Sequence, residues 1–360
     1  MSCSPPPVIN IQPAHIENDE DMYVSIRKDM RRACETHGCF YLQTRKPDAF
    51  YWGDDTRVLE NLFERVGTYA SNDHKGSSKA GFNSIYRGIY AESGAGSSST
   101  LAEPKQSLEW QRRWGTTGKV HGVDDNMAAW TDFMHKTATK VGHFLGLPKD
   151  LLAVDDSSKT IDLLRVFRYD AVPRQDRCDN HSDKSTGLLF GSSPHTDWGS
   201  ITIVWQDSVG GLQRYCPVHT NTENWVDVPP VKASCSSDLM LFVHIGDFLS
   251  IASKGKWLSP RHRVVCPNET SRYSFVYFAY PKHGVTLSQA EKFLPLHNIS
   301  LSDGGKKLTA RQCGHYSLLQ NQSKGDSSGC EAEDTVYVSI LDVPFDEVIA
   351  RKWGQVQRDL

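Results

Sequence analysis

The hydrophobic positions before residue 150 repeat every three or four residues, which is the period of an amphipathic helix. The pattern predicts helices over 20–36, Leu59–Val66 and Met127–Leu145. A short apolar strand, Cys39–Leu42, is predicted directly after the first helix. The Ser- and Gly-rich residues 71–107 are predicted to form loops. The N-terminal region is therefore expected to consist mainly of helices and loops.

The pattern changes at about residue 160 to short apolar or alternating runs separated by turns, which is typical of a β sandwich or barrel. Polar insertions interrupt or follow this region at 173–193 and 300–334, and a helix is predicted over Phe345–Val356. The predicted strands are Ile161–Tyr169, Ile201–Trp205, Gly211–Tyr215, Trp225–Val228, Leu239–His244, Phe248–Ala252, Arg263–Cys266 and Arg272–Tyr280.

The composition is that of a soluble globular protein and argues against two classes of partner. The 360 residues carry 40 Lys and Arg against 43 Asp and Glu, a formal charge of −3. Nucleic-acid-binding and membrane-surface proteins usually show a basic excess. No apolar run is long enough for a transmembrane helix, and MSCSPPPVIN lacks the features of a secretory signal. The 9 scattered cysteines include no C-x-x-C pair, which indicates reduced thiols and a cytoplasmic protein.

Pairs of the form His-x-acid are candidate metal ligands, because residues i and i+2 of a strand point to the same side. With 14 His and 43 acidic residues, chance alone predicts about 1.7 such pairs. Three such pairs occur: His15/Glu17, His181/Asp183 and His195/Asp197. Only His195/Asp197 leads directly into a β-branched apolar strand, SITIVWQ, as a rigid metal site requires.

A third ligand and an anion-binding pair are predicted further along the chain. His262 begins an apolar run 67 residues after His195, and two His with one carboxylate suit Fe(II). Arg272 and Ser274 share one face of the strand RYSFVYF, and a guanidinium beside a hydroxyl suits a carboxylate. The alternatives are an ordinary turn for His195 and Asp197 and a surface ion pair for Arg272.

Three segments together resemble the isopenicillin N synthase-like branch of the Fe(II)/2-oxoglutarate-dependent dioxygenases. They are HTDWGSITIVWQDSVGGLQ, HIGDFLSIASKGKWLSPRHRVV and RYSFVYF. The resemblance is strong from about 160 to 281 and looser over 7–115. It implies a mainly β core with flanking helices, folded as a double-stranded β-helix or jelly roll. We expect an N-terminal region at 1–150, the catalytic core at 151–285 and a tail with a helix at 286–360.

The resemblance also assigns roles to residues of this chain. It implies that His195, Asp197 and His262 bind Fe(II), and that Arg272 and Ser274 bind the far carboxylate of 2-oxoglutarate.

Two further positions differ from the pattern of this branch. Tyr169 matches a Tyr that often contacts the cosubstrate, but the Asn that some members carry two residues earlier is Phe167 here. His244 stands where an Asn is common. We expect His244 to be structural, with a role in the pocket as the alternative.

The implied activity is oxidation of an unactivated C–H bond of a small molecule by O2, with release of succinate and CO2 and with ascorbate as a stimulant. The outcome is hydroxylation, desaturation or ring closure, as in secondary metabolism. We expect a cytoplasmic monomer. The alternatives are a same-fold oxidase that does not use 2-oxoglutarate, an oxidative cyclase of the kainoid type, and a ligand-binding jelly roll without catalysis.

Three arginines in the N-terminal region are candidate substrate contacts. Arg87 lies in SIYRGIY, and Arg112 and Arg113 lie in EWQRRWG, each among aromatic residues. An aromatic ring that excludes water strengthens an ion pair between Arg and a carboxylate. The sequence therefore favours an anionic substrate, such as an amino acid or an N-substituted amino acid. The alternative is that these arginines pair with acids such as Glu92 or Glu109 on exposed loops.

Overall fold

Two β-sheets packed face to face form the centre of the protein, and helices cover the outer side of the larger sheet. This arrangement confirms the predicted mainly β jelly roll with flanking helices. The computed structural model describes residues 4–11, 19–47, 57–64, 86–91, 100–110, 124–152, 163–173, 188–216, 225–233, 235–293 and 342–358.

The elements follow the predicted order of helices, strands and a final helix only in part, because four of the described strands lie before residue 150 and belong to the larger sheet. Residues 57–64 are also helical. The helices are α1 (Glu20–Thr36), α2 (Asp124–Leu145), α3 (Lys149–Leu152), α4 (Asp247–Ala252), α5 (Leu287–Phe293) and α6 (Phe345–Arg358). The strands are β1 (Val8–Asn10), β2 (Cys39–Arg45), β3 (Tyr86–Ala91), β4 (Thr100–Trp110), β5 (Leu163–Tyr169), β6 (Phe190–His195), β7 (Ile201–Gln206), β8 (Leu212–Tyr215), β9 (Trp225–Asp227), β10 (Asp238–Ile245), β11 (His262–Val265) and β12 (Arg272–Ala279).

The larger sheet has eight strands in the order β1-β2-β10-β7-β12-β5-β4-β3, and the smaller has four in the order β6-β11-β8-β9. Alternate residues of the larger sheet face opposite ways. One face packs on α1 and α2, where Trp130 stacks on Phe275 with ring centroids 4.8 Å apart. The other face, called the inner face below, meets the smaller sheet through an apolar cluster that includes Phe167, Val204 and Leu212. Candidate site residues of the larger sheet are therefore those whose side chains lie on the inner face, between the two sheets.

One predicted strand is wrong, because Phe248–Ala252 lies in helix α4. All six residues of this helix are buried, so no polar face shows the helical period in the sequence. A short apolar run cannot be assigned to a strand or a buried helix from its period alone. The other seven predicted strands are present, with ends within two residues of those expected in the described part of the chain.

Residues 71–107 are not all loop, because β3 and most of β4 lie within this range. β4 pairs antiparallel with β5 from Lys105 to Trp110, and β3 pairs with β4 at the sheet edge. β4 contains Pro, Glu and Lys, which have low intrinsic strand preference, but pairing with an existing sheet overrides that preference. The strand β6 was likewise not predicted, since it begins within the polar insertion.

The cysteines only partly agree with the expectation of reduced thiols. Cys34, Cys39, Cys235 and Cys266 are free, whereas Cys216 is disulfide-bonded. The expectation is therefore wrong for Cys216. Among the helices in the described part of the chain, none combines the length and the apolar character needed to cross a bilayer.

Candidate metal centre and active site

The structure brings His195, Asp197 and His262 together at one end of the smaller sheet. His195 is the last residue of β6 and His262 the first of β11, and the two are cross-strand partners in the antiparallel ladder. Asp197 lies just beyond β6, in the connection to β7, rather than on the same strand as His195 as expected. One ligand atom of each residue lies within 4.8 Å of the other two.

Both imidazoles are oriented by backbone carbonyl groups. His195 Nδ1 lies 2.7 Å from the Ser193 carbonyl oxygen, and His262 Nδ1 lies 3.1 Å from that of Pro260. A carbonyl oxygen only accepts, so each Nδ1 carries the proton and each Nε2 presents a lone pair. These Nε2 atoms lie 3.5 Å and 3.7 Å from Asp197 Oδ1. The three donor atoms thus converge in the manner of a 2-His-1-carboxylate metal site.

The electrostatics of the cluster suit a divalent cation. Burial by itself would raise the pKa of Asp197, but the neighbouring imidazoles outweigh it and hold that pKa well below its usual range. Burial and the nearby His195 lower the pKa of His262 to about 3. Burial opposes protonation of His195 as well, yet Asp197 raises its pKa overall. An anionic carboxylate beside an imidazole that resists protonation fits the donor set of Fe(II).

Asp247 connects the two segments that carry these ligands, and sequence analysis did not single it out. Its side chain is fully buried and accepts hydrogen bonds from Thr196 Oγ1 at 3.0 Å and Ser259 Oγ at 2.7 Å. Its backbone N–H donates to the Asp197 carbonyl oxygen at 2.7 Å. The available signal is an acidic residue inside the apolar run HIGDFLSIA. Asp247 therefore holds the β6–β7 connection against the segment that leads to His262.

A second group of polar residues surrounds the guanidinium of Arg272, which is almost fully buried. Arg272 Nη1 donates to Ser274 Oγ at 3.1 Å, and Nη2 donates to Gln206 Oε1 at 3.0 Å. Its Nε has no hydrogen-bond partner among the described residues. A buried guanidinium with an unsatisfied donor is costly unless an acceptor completes it. The far carboxylate of 2-oxoglutarate fits this requirement.

Tyr169 lies beside this guanidinium, as its cross-strand partner in β5. The Arg272 guanidinium carbon is 4.9 Å from the Tyr169 ring centroid. The ring also packs on Gly191 of β6, where a Cβ atom would overlap Tyr169 Cδ1. Gly191 is thus needed for the position of Tyr169. Phe167 stacks on Tyr169 with centroids 5.7 Å apart, so it lines the inner face without offering a polar group.

An ion pair in β4 between a partly buried Lys105 and a buried Glu103 was missed by sequence analysis, because this segment was expected to be loop. Lys105 Nζ lies 2.6 Å from Glu103 Oε2, 3.5 Å from Ser192 Oγ and 5.6 Å from the Phe167 ring centroid. Glu103 also accepts from the Ser193 backbone N–H at 2.7 Å. The pair therefore places a cation on the inner face, next to the strand that carries the first metal-ligand candidate.

Of the remaining residues singled out from the sequence, His244 lies beside the metal-ligand cluster, and the side chains of the others lie outside the described part of the structure. His244 is 2% exposed, and its Nε2 lies 3.4 Å from Asp197 Oδ2. Arg87 lies in β3 opposite Gln106, and its side chain is outside the described atoms. Also outside the described residues are Arg112, Arg113, His15, Glu17, His181 and Asp183.

Comparison with known proteins agrees with this geometry. Residues 161–281 match the family model described as 2OG-Fe(II) oxygenase superfamily. The chain is 37% identical over 143 residues to a 1-aminocyclopropane-1-carboxylate oxidase homolog of Solanum lycopersicum, covering 39% of this chain and 35% of that protein. It is 36% identical over 116 residues to the 2-oxoglutarate-dependent dioxygenase citB of Monascus ruber, covering 32% and 30%. These alignments thus span about a third of the relatives' own length.

A longer alignment, at 23% identity, covers 80% of this chain and 84% of a 1-aminocyclopropane-1-carboxylate oxidase from Dictyostelium mucoroides. Among solved structures, a full-length Neurospora crassa protein in complex with alpha-KG superimposes with a TM-score of 0.51 at 21% identity, covering 77% of this chain and 86% of that one. JOX2 in complex with 2OG, Fe and JA gives 0.50 at 20% identity, covering 83% and 82%. These structural likenesses establish a shared fold.

Proposed function

We propose that the protein is an Fe(II)- and 2-oxoglutarate-dependent oxygenase of a small molecule, and the match of residues 161–281 to the 2OG-Fe(II) oxygenase family model supports this. The observation that carries the proposal is the convergence of His195, Asp197 and His262 within 4.8 Å at the smaller sheet, which packs on the face of the larger sheet where Arg272 is buried. A metal-ligand set and a carboxylate-binding group between the same two sheets match the two requirements of this chemistry.

When bound, Fe(II) and 2-oxoglutarate supply the oxidation, in which O2 and the cosubstrate give succinate and CO2 while a substrate C–H bond is oxidised. The contribution of this chain is binding, orientation and exclusion of water. His195, Asp197 and His262 would hold the metal through two Nε2 atoms and one carboxylate oxygen. The apolar cluster between the two sheets, which includes Val264 two residues after His262, would help to exclude bulk water.

Arg272 and Ser274 would bind the far carboxylate of 2-oxoglutarate. The unsatisfied Nε of Arg272 and the Ser274 hydroxyl supply hydrogen-bond donors, and the Tyr169 ring restricts the position of the guanidinium. A guanidinium presents its donors in a fixed planar fork, so it orients a carboxylate as well as attracting it. This grip fixes where the opposite end of the cosubstrate lies relative to the metal-ligand candidates.

We further propose that the substrate carries a carboxylate. Arg87, Arg112 and Arg113 remain candidates for its recognition, and Lys105 is a further one. The Lys105 ammonium is paired with Glu103 but lies on the inner face, where its charge adds to burial in opposing protonation of His195 and so in lowering its pKa. A cation in a poorly hydrated cavity attracts an anion more strongly than it does in water. The amino acids and N-substituted amino acids named above satisfy this condition.

The substrate proposal can be tested by substrate-stimulated succinate release. The probes are free amino acids, N-substituted amino acids and their methyl esters. We expect acids to stimulate turnover and their esters to lose most of kcat/KM. Lys105→Met should reproduce the loss, Lys105→Arg should restore part of the activity, and the exposed Lys136→Met is the control. Equal turnover of acid and ester would contradict the proposal.

The activity itself is tested by iron content and products. Protein reconstituted anaerobically with Fe(II) should bind about one metal ion per chain and convert 2-oxoglutarate to succinate in the presence of O2. Ascorbate should prolong turnover. A chain that binds no iron would instead support a ligand-binding jelly roll. We also expect a cytoplasmic monomer, and sedimentation in solution would measure the oligomeric state.

An oxidase that does not use 2-oxoglutarate is the second candidate, because two of the relatives are named as 1-aminocyclopropane-1-carboxylate oxidase or a homolog of it. The Arg272–Ser274 pair does not distinguish the two, since a buried guanidinium beside a hydroxyl can bind the carboxylate of a cosubstrate or of a substrate. Substrate oxidation without succinate release would establish the second candidate in place of the first.

A further inference from the structure

Two residues on neighbouring strands contact the same oxygen of Asp197. Thr202 of β7 and His244 of β10 are cross-strand partners on the inner face. Thr202 Oγ1 donates to Asp197 Oδ2 at 2.6 Å, and His244 Nε2 lies 3.4 Å from that oxygen. The other oxygen, Oδ1, is the one that faces Nε2 of His195 and Nε2 of His262. The two oxygens of the carboxylate therefore have different tasks.

We propose that Thr202 and His244 act together as a clamp, a pair of positioning residues that fixes Asp197 with Oδ1 directed to the metal. The proposal rests on the proposed function, since it presumes that Asp197 is a metal ligand. It goes beyond that function by assigning roles to residues that would not touch the metal, the cosubstrate or the substrate.

The physical reason is that a carboxylate rotates easily about its terminal torsion, which is broad and roughly two-fold. Asp197 lies in a connection, so no strand ladder holds its side chain. A donor on Oδ2 fixes the rotation and leaves only Oδ1 for the metal. Hydrogen bonds to ligating carboxylates orient them and tune their affinity in this manner.

The two contacts differ in strength. The Thr202 bond is short, whereas 3.4 Å is long for a nitrogen donor. Both nitrogens of the His244 ring face acceptors, since Nδ1 lies 3.5 Å from the Ile245 carbonyl oxygen. His244 therefore donates to Asp197 only in the state in which Nε2 carries the proton. Thr202 is thus the main member of the clamp, and His244 supports it from the adjacent strand.

The test measures metal affinity rather than turnover. Dissociation constants for Fe(II) and Co(II) are determined anaerobically by chelator competition, together with the visible absorption of the Co(II) protein. Thr202→Val keeps the shape and removes the hydroxyl, so metal binding should weaken about 10–100-fold. His244→Leu should give a smaller loss. Thr202→Ser and His244→Asn keep a donor and should restore most of the affinity.

The controls separate positioning from folding. Thr137→Val and His135→Leu remove a hydroxyl and an imidazole from helix α2, which lies on the other side of the larger sheet. They should leave metal affinity and the Co(II) absorption unchanged. Unfolding of the metal-free protein in urea reports any general damage from Thr202→Val.

The outcomes are distinguishable. Folded Thr202→Val with wild-type metal affinity, or Thr202→Ser as weak as Thr202→Val, would overturn the clamp. In that case wild-type protein would still bind iron and release succinate, so the proposed function would stand. Failure of the wild-type protein to bind iron would overturn the function and the clamp together.

Discussion

The two faces of the larger sheet are built from the same strands but serve different ends. On β12, Tyr273, Phe275 and Tyr277 point to the helices and belong to the main apolar cluster. Arg272 and Ser274 alternate with them and point to the inner face. Because side chains alternate along a strand, one short segment contributes to the hydrophobic core on one side and to the candidate active site on the other.

The faces also differ in what burial contributes. Burial of aromatic side chains against α2 stabilises the fold by the hydrophobic effect. On the inner face, Arg272 and Ser274 are buried as well, and so are Asp197 and His262 in the segments packed against it. Buried polar groups cost free energy unless they are paired, and these groups are paired only in part. We therefore expect the helix-facing side to stabilise the fold and the inner face to lower that stability. Five substitutions test this difference between the two faces.

The largest effect is expected for Asp197→Ala. It removes the carboxylate from the metal-ligand cluster, so succinate release should fall to background and iron content should fall with it. The urea midpoint of the metal-free protein should change little, because the larger apolar cluster lies on the other face of the larger sheet. Asp183→Ala, from the rival His-x-Asp pair, is the control and should retain iron. The reverse result would show that the wrong pair was chosen.

Phe275→Ala should lower stability and leave cosubstrate binding unchanged. Its ring stacks on Trp130 and is fully buried, so its loss should lower the free energy of unfolding by about 3–5 kcal/mol. Urea denaturation measures this change. The 2-oxoglutarate KM of the folded fraction should stay near the wild-type value. A large rise in KM would mean that the two faces are not independent.

Arg272→Lys keeps the charge but loses the planar fork. The KM for 2-oxoglutarate should rise roughly 10–100-fold, as expected for a charged hydrogen bond of about 1.5–3 kcal/mol. Ser274→Ala should raise it less. Steady-state kinetics with varied 2-oxoglutarate measure both variants. An unchanged KM for 2-oxoglutarate in Arg272→Lys would exclude the assignment of Arg272 to the cosubstrate carboxylate.

Gly191→Ala tests the contact between the two sheets. The added methyl group would overlap the Tyr169 ring, which must move away from Arg272. We expect a loss of about 1–3 kcal/mol in stability and a moderate rise in the 2-oxoglutarate KM. Gly255→Ala has open space around it but a positive φ, so it serves as a control for backbone strain alone. Equal KM values in both variants would mean that the position of Tyr169 does not matter.

The smallest effect is expected for Tyr277→Phe on the helix-facing side. It removes one hydrogen bond, 3.0 Å long, between the Tyr277 hydroxyl and His135 Nδ1. Stability should fall by about 1 kcal/mol, with metal affinity and KM unchanged. Thermal unfolding and metal titration check this. An altered metal affinity would indicate coupling through the sheet.

The fold and the site were predictable where a signal is local. Hydrophobic period identified α1, α2 and seven strands, and the step of two residues in Arg272-x-Ser274 correctly indicated a shared face. The signal failed for α4, which is buried on every side, and for β4, whose sequence has little strand preference. In both cases tertiary packing or pairing decides the conformation, and no local pattern records it.

By itself, the sequence determined which residue types are available and which segments alternate between apolar and polar positions. Only the tertiary structure decided which distant residues meet. The register of β6 against β11 places His262 opposite His195, and that of β10 against β7 places His244 beside Thr202. A slip of one residue would turn each side chain to the other face. Register depends on turns and on packing across the whole sheet, so it cannot be derived from any one segment.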